Sequence, residues 1–68
     1  MNALKIESEY ITLDQMLKFA GIAQTGGHAK MLIQSGDVIV NGEVECRRGK
    51  KLRVGDVIEV EEEKFIIE

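Results

Sequence analysis

The stretch from residue 25 to residue 42, TGGHAKMLIQSGDVIVNG, constrains the fold of this chain more than any other part of its sequence. Thr25 can cap a helix, and Gly36 can end it in a left-handed conformation. Between them, apolar residues recur every three or four positions, which is the period of a helix with one buried face. The residues of that face are Ala29, Leu32 and Ile33. We therefore predict a short amphipathic helix over this stretch.

After Gly36 the apolar residues alternate with a period of two, which is typical of strands. Val38 and Val40 face alike, and Asn41-Gly42 favours a two-residue type I′ turn. Similar patterns recur further along the chain, separated by turns at residues 54–56 and 61–64. The strands predicted in this way lie at residues 38–40, 43–45, 57–60 and 65–67.

A first helix is predicted upstream of this stretch. Thr12 and Gln15 match a T-x-x-Q capping box, and Gly21 supplies a left-handed residue that ends the helix. Its buried stripe comprises Leu13, Met16, Leu17 and Ala20. Leu4, Ile6 and Tyr10–Ile11 alternate with polar residues, which predicts a short N-terminal strand. The fold class predicted is α+β, with two short N-terminal helices packed on a small, mostly antiparallel sheet.

The length of 68 residues predicts a single domain, 1–68, with little room for a deep catalytic cleft. Hydrophobic residues make up 44% of the chain, which is enough for a packed core. The chain has one cysteine and no apolar run near the length of about 20 residues that spans a bilayer, and its first residues lack the basic and then apolar pattern expected of a secretory signal. We therefore expect a cytoplasmic monomer with no membrane association.

Charge is distributed unevenly along the chain, although its net value is −3. Residues 18–53 contain seven basic and three acidic side chains, whereas residues 54–68 contain one basic and six acidic ones. Exposed charges are screened beyond a Debye length of about 8–10 Å, so a ligand responds to one face rather than to the net charge. A domain polarised in this way can bind an anion on one side.

Two adjacent glycines, Gly26 and Gly27, fall in the first turn of the second predicted helix, where each weakens the helix by about 1 kcal/mol relative to alanine. One explanation is that bare N–H groups at the positive end of the helix approach a phosphate closely. The other is that the glycines permit a close crossing of the two helices. The residue pattern alone leaves both explanations open.

A basic run follows the predicted hairpin, with five basic residues in seven positions. They are Arg47, Arg48, Lys50, Lys51 and Arg53. A loop can present such side chains to a groove, and the planar guanidinium group suits phosphate. The alternative is an ordinary solvated face. The density of the run in an otherwise acidic chain favours an anion-binding site.

The residue pattern offers no metal or catalytic site. His28 and Cys46 are the only residues of their kinds, whereas a zinc site needs three or four ligands. A nucleophile built from this pair would lack supporting groups, so we expect no catalysis and no cofactor. Cys46 is expected to be a small core or edge residue, and Phe19 and Phe65 are expected in the core. Tyr10 is the only other aromatic residue, so base stacking has little support.

Two motifs together suggest a family. The run A-x-x-L-I-x-x-G-x-V-x-V-N-G occupies residues 29–42, and V-G-D-x-I-x-V occupies residues 54–60 after the basic run. This combination closely resembles the RNA-binding domain of ribosomal small-subunit protein four, also called the alpha-L motif. The resemblance covers a motif core of about residues 13–60. The short length and the T-G-G-x-A-K start look most like small stand-alone bacterial members of the YaaA/YbcJ type.

The resemblance implies the alpha-L fold and an RNA-binding surface made by the start of the second helix, the hairpin and the following loop. The matching positions are Thr25, Gly26, Gly27, His28, Lys30, Arg47, Arg48, Lys50, Lys51 and Arg53. Larger family members place Ser-Arg at the positions of Thr25 and Gly26. The absence of that arginine removes a phosphate contact, for which Lys30 can partly substitute.

The sequence therefore predicts two alternative functions. The first is a non-catalytic, ribosome-associated RNA-binding protein that recognises structured RNA, ribosomal or transfer RNA, through a basic face. The second is a protein-interaction adaptor that docks on a ribosomal protein or an RNA-modifying enzyme. The acidic segment 56–68 and the missing arginine favour this alternative.

Overall fold

The computed structural model describes all 68 residues and contains two helices and seven short strands. The helices are α1 (Leu13–Phe19) and α2 (Gly26–Gln34). The strands are β1 (Asn2–Leu4), β2 (Ile11–Thr12), β3 (Ile39–Val40), β4 (Glu43–Val44), β5 (Lys51–Leu52), β6 (Val57–Val60) and β7 (Glu63–Ile67). The predicted α+β class, with two short helices and a mostly antiparallel sheet, is confirmed.

Five strands form the main sheet in the order β1-β7-β6-β3-β4. Neighbouring strands are antiparallel except for β1, which runs parallel to β7 and pairs Asn2 with Phe65. The remaining strands, β2 and β5, pair antiparallel as a separate ribbon. This ribbon joins the start of α1 to the end of the basic run, so it decides where the basic side chains lie.

The core contains thirteen buried side chains, and all of them are apolar. Both helices, the ribbon and the main sheet contribute to it. The buried residues are Leu13, Met16, Leu17, Ala23, Ala29, Ile33, Val38, Val40, Leu52, Ile58, Val60, Phe65 and Ile67. Because no polar side chain is buried, burial of apolar surface is the main source of stability. Neither helix has the length and hydrophobicity needed to cross a membrane.

The end of α1 agrees with its prediction from the sequence, whereas the start does not. Gly21 terminates the helix as predicted: it lies just past the cap residue Ala20 with a φ of 79°, and the N–H of Ile22 donates to the carbonyl of Leu17 at 3.0 Å. The prediction of a capping box at the start is wrong. The Thr12 hydroxyl donates to Asp14 Oδ1 at 2.7 Å and makes no cap bond. The reason is that the N–H of Gln15, which a capping box would bond to Thr12, donates instead to Asp14 Oδ1 at 2.9 Å.

The hairpin turn between β3 and β4 is joined to the turn before β6 through Asn41. Asn41 and Gly42 have φ values of 50° and 86°, which is the predicted type I′ geometry. The side-chain amide of Asn41 donates to Asp56 Oδ1 at 3.0 Å and accepts the N–H of Val57 at 2.9 Å. The other carboxylate oxygen of Asp56 accepts the N–H of Arg53 at 2.8 Å. One polar network therefore fixes both turns and the end of the basic run.

Of the two phenylalanines expected in the core, Phe65 is buried as predicted, whereas Phe19 is 60% exposed. Cys46, expected as a core or edge residue, is exposed beside the edge of the sheet. Phe19 is two positions after Leu17 on α1, so it projects away from the buried stripe of that helix. Cys46 follows β4, an edge strand with both residues exposed, and no second layer covers it.

The turn between β6 and β7 provides a test of backbone strain. Glu61 and Glu62 have φ values of 51° and 65°, a region that costs a non-glycine residue about 1–2 kcal/mol. We expect Glu62→Gly to raise the free energy of unfolding in urea by up to about 1 kcal/mol, since part of the gain is lost to glycine's unfolded-state entropy. Glu63→Gly removes the same charge from a strand position and is expected to lower the free energy of unfolding. Equal effects of the two substitutions would contradict the claim that the backbone at Glu62 is strained.

Candidate nucleic-acid interface

The main chain of the basic run caps the N-terminus of α1. The carbonyl of Lys50 accepts the N–H of Leu13 at 2.9 Å, and the carbonyl of Arg48 accepts the N–H of Asp14 at 3.0 Å. Within the run, the N–H of Lys50 donates to the carbonyl of Arg47 at 3.2 Å and closes a turn. Orphan donors at a helix start need partners, and here this loop supplies them. The run is thus held by its backbone, which leaves its side chains available.

The β2–β5 ribbon separates an apolar side from a basic side. Ile11 pairs with Leu52, whose side chain is fully buried, and Thr12 pairs with Lys51. Because successive strand residues face opposite ways, Lys51 and Arg53 project outward together. Tyr10 lies beside them: Lys51 Nζ is 4.9 Å and Arg53 Cζ is 5.8 Å from the centroid of its ring.

The basic side chains surround an open surface depression of about 410 Å³. Its lining consists of Arg47, Gly49, Lys50, Lys51 and Arg53, with no acidic or hydrophobic side chain. Arg48 belongs to the same turn and is exposed. A second depression of about 270 Å³ lies between Arg47, Lys50 and the β3–β4 hairpin. The hairpin and the basic run therefore form adjoining parts of one surface.

One of these cations already has an anionic partner within the chain. Arg47 Nε donates to Glu45 Oε2 at 3.0 Å, and Arg47 Nη2 donates to Glu45 Oε1 at 3.1 Å. This bidentate hydrogen bond lowers the pKa of Glu45 from 4.5 to about 2 and raises the pKa of Arg47. The Arg47 side chain is 73% exposed and that of Glu45 is 14% exposed. A phosphate approaching Arg47 must therefore compete with Glu45.

The start of α2 has the cap predicted from the sequence. The side chain of Thr25 accepts the N–H of His28 at 3.0 Å, and His28 Nδ1 accepts the N–H of Gln24 at 3.4 Å. A Cβ added to Gly26 would meet nothing within 4 Å, and one on Gly27 would meet only Thr25 Oγ1 at 3.9 Å. The explanation that these glycines permit a close helix crossing is therefore wrong, because no atom of α1 lies near them.

The ten candidate residues form two groups in the structure. The basic run forms the first group, around its depression. The second group is the start of α2, where Thr25 and His28 share a hydrogen bond and Lys30 is exposed one residue beyond buried Ala29. No hydrogen bond, ion pair or surface depression joins the two groups.

Two residues of this surface were not found by sequence reasoning. Glu45 is two positions before Arg47, and this spacing places both side chains on one side of an extended segment. The sequence could therefore have predicted their ion pair. Tyr10 is brought to the surface by the pairing of β2 with β5, which joins residues about 40 positions apart in the chain. No local pattern predicts that pairing. No three His, Cys, Asp or Glu side chains lie together as metal ligands would.

The Glu45–Arg47 pair makes stability depend on pH in a defined direction. Because folding lowers the pKa of Glu45, its contribution is complete above pH 4.5 and is lost as the pH falls toward about 2. We expect the melting temperature of Glu45→Gln to lie below that of the wild type at pH 7, with the gap closing across this range. Glu43→Gln, which removes a nearby carboxylate without an ion pair, is the control. A gap that stays constant down to pH 2.5 would contradict the assignment.

Comparison with known proteins identifies the family. The S4 domain family matches residues 4–68, which is nearly the whole chain. The chain is also 50% identical over 60 residues to the probable ribosome maturation protein RlbA of Bacillus subtilis (strain 168), covering 88% of this chain and 84% of that protein. These matches confirm the resemblance to the alpha-L RNA-binding domain. The chain belongs to the S4 domain family.

Proposed function

We propose that this protein binds structured RNA through a basic face, defined as the five basic side chains of residues 47–53. The observation that carries the proposal is the open depression lined by four of these cations and Gly49, with no acidic side chain among them. Phosphate contacts dominate the affinity of proteins for nucleic acid, and such a surface attracts them. Arg48, exposed on the same turn, extends the face.

The fixed backbone of the run favours a structured ligand. Double-stranded RNA is recognised mostly by shape, through its phosphates and 2′-hydroxyls. Since the carbonyls of Arg48 and Lys50 are bonded to α1, the side chains are presented in one arrangement that a rigid RNA can match. Membership of the S4 domain family and the name of the Bacillus relative support ribosomal RNA as the first candidate. Transfer RNA is the second.

The start of α2 is proposed as a further contact of the same RNA. The N–H groups of Gly26 and Gly27 have no partner in the chain, and they lie at the positive end of a nine-residue helix. Their surroundings are open, so a phosphate oxygen can reach them. His28 follows in the same turn, and Lys30 lies in the next turn. In this proposal the protein acts in the cytoplasm as a non-catalytic monomer without a cofactor.

Charge reversal tests the basic face. We expect Arg48→Glu/Lys51→Glu to weaken binding to a ribosomal RNA fragment by at least about tenfold and to reduce the slope of log affinity against log salt by about two. Lys5→Glu/Lys64→Glu makes the same change in net charge outside the face and is expected to retain most of the affinity. Circular dichroism confirms that each variant is folded.

An unchanged salt slope in the folded Arg48→Glu/Lys51→Glu variant would contradict the proposal. The adaptor alternative makes a different prediction for the same samples. It requires that partners captured from cells remain bound after nuclease treatment while the purified protein binds no RNA. Loss of every partner with nuclease would exclude the adaptor function.

The contribution of α2 can be measured separately. We expect Lys30→Glu to reduce the salt slope by about one, because a single phosphate contact is lost. Lys18→Glu, an equal charge change on the polar side of α1, is the comparison and is expected to have a smaller effect. If the two variants behave alike, the start of α2 is not part of the RNA-binding surface, and the basic face acts alone.

A further inference from the structure

Tyr10 occupies an unusual position for an aromatic side chain in this small protein. It is the only tyrosine in a chain without tryptophan, and it is 39% exposed. The inner side of the adjacent ribbon is filled by Ile11 and Leu52, so the core does not require the Tyr10 ring. The Ser8 hydroxyl donates to the carbonyl of Tyr10 at 2.8 Å and helps to hold its backbone.

The two cations beside Tyr10 have no acidic partners. The ion pairs of the chain join Arg47 to Glu45 and Lys64 to Glu59, and neither involves Lys51 or Arg53. Lys51 Nζ and Arg53 Cζ lie 4.9 Å and 5.8 Å from the ring centroid, within the range of cation–π attraction. This attraction orients the cations, but it does not neutralise them.

The three side chains match the two parts of one nucleotide. An exposed aromatic ring stacks on a nucleobase whatever its identity, and adjacent cations bind the phosphate attached to it. Lys51 and Arg53 also line the depression of the basic face, so a strand crossing that face passes the Tyr10 ring. A base within a duplex has its faces covered by its neighbours and cannot stack on a side chain.

We propose that Tyr10, Lys51 and Arg53 form a site for one unpaired nucleotide, with its base on the Tyr10 ring and its phosphate at the two cations. The inference rests on the proposed function and narrows it. The RNA that this protein recognises presents an unpaired base, in a loop, a bulge or an end, beside the phosphates bound by the rest of the basic face.

The experiment compares two RNAs with the same number of phosphates. One is a hairpin with a loop of unpaired uridines, and the other is a blunt duplex. Since Tyr10 is the only tyrosine, its intrinsic fluorescence reports on this site alone. We expect the hairpin to quench the tyrosine emission of the wild-type protein and the duplex to bind without comparable quenching.

Substitutions separate stacking from positioning. We expect Tyr10→Leu to lose about 5- to 150-fold in affinity for the hairpin, as expected for one base–aromatic stack, with little change for the duplex. Tyr10→Phe keeps the ring and is expected to stay within about threefold of the wild type for both RNAs. Equal losses for hairpin and duplex would mean that Tyr10 only positions Lys51 and Arg53, and this would overturn the proposal.

The outcomes distinguish this inference from the proposed function. If both RNAs bind with a strong salt dependence but neither quenches Tyr10, the nucleotide site is wrong and the basic face stands. If neither RNA binds, both proposals fail. Should Tyr10→Leu not fold, quenching of the wild-type protein and the affinity of Tyr10→Phe still decide the question.

Discussion

Two hydrogen bonds from the start of α1 to the main chain of the basic run organise this protein. The N–H groups of Leu13 and Asp14 require acceptors wherever the helix begins, and the carbonyls of Lys50 and Arg48 supply them. Because the bonds use only main-chain atoms, the loop keeps its place whatever its side chains bind. A sequence can therefore concentrate positive charge here without using that charge to hold the loop.

A second anchor explains why two separated motifs occur together. Asn41 of the N-G turn and Asp56 of the G-D turn belong to one hydrogen-bonded network, which also takes the N–H of Arg53. The first motif shapes the hairpin before the basic run, and the second shapes the turn after it. Their pairing fixes the Arg53 end of the run relative to the hairpin. The resemblance to the S4 domain family thus rests on residues that position the surface as well as on residues proposed to contact RNA.

Local patterns predicted much of this fold, and the errors have both local and distant causes. The helix end at Gly21 and the alternating strands follow from neighbours in the chain, so they could be read directly. The cap at Thr12 was wrong because the neighbouring carboxylate of Asp14 accepts the N–H of Gln15, while a loop more than thirty residues away accepts the two N–H groups before it. In the candidate site, the basic residues could be predicted because they form a cluster of positive charge in the sequence. The proximity of Tyr10 and the pairing of Arg47 with Glu45 depend on tertiary geometry that charge counting does not include.

The parallel pairing of β1 with β7 has a consequence for the order in which the molecule assembles. Residues 2–4 meet residues 65–67, so this edge forms only when a loop of nearly the whole chain closes. Contacts of such long sequence separation are slow to form, and an edge strand of three residues is among the first parts of a protein to open. The basic run is held instead by residues 11–14 and by Asp56. The β1 edge can therefore open while the backbone bonds of the basic run stay in place, so the amides of β1 should exchange with deuterium sooner than those of the run.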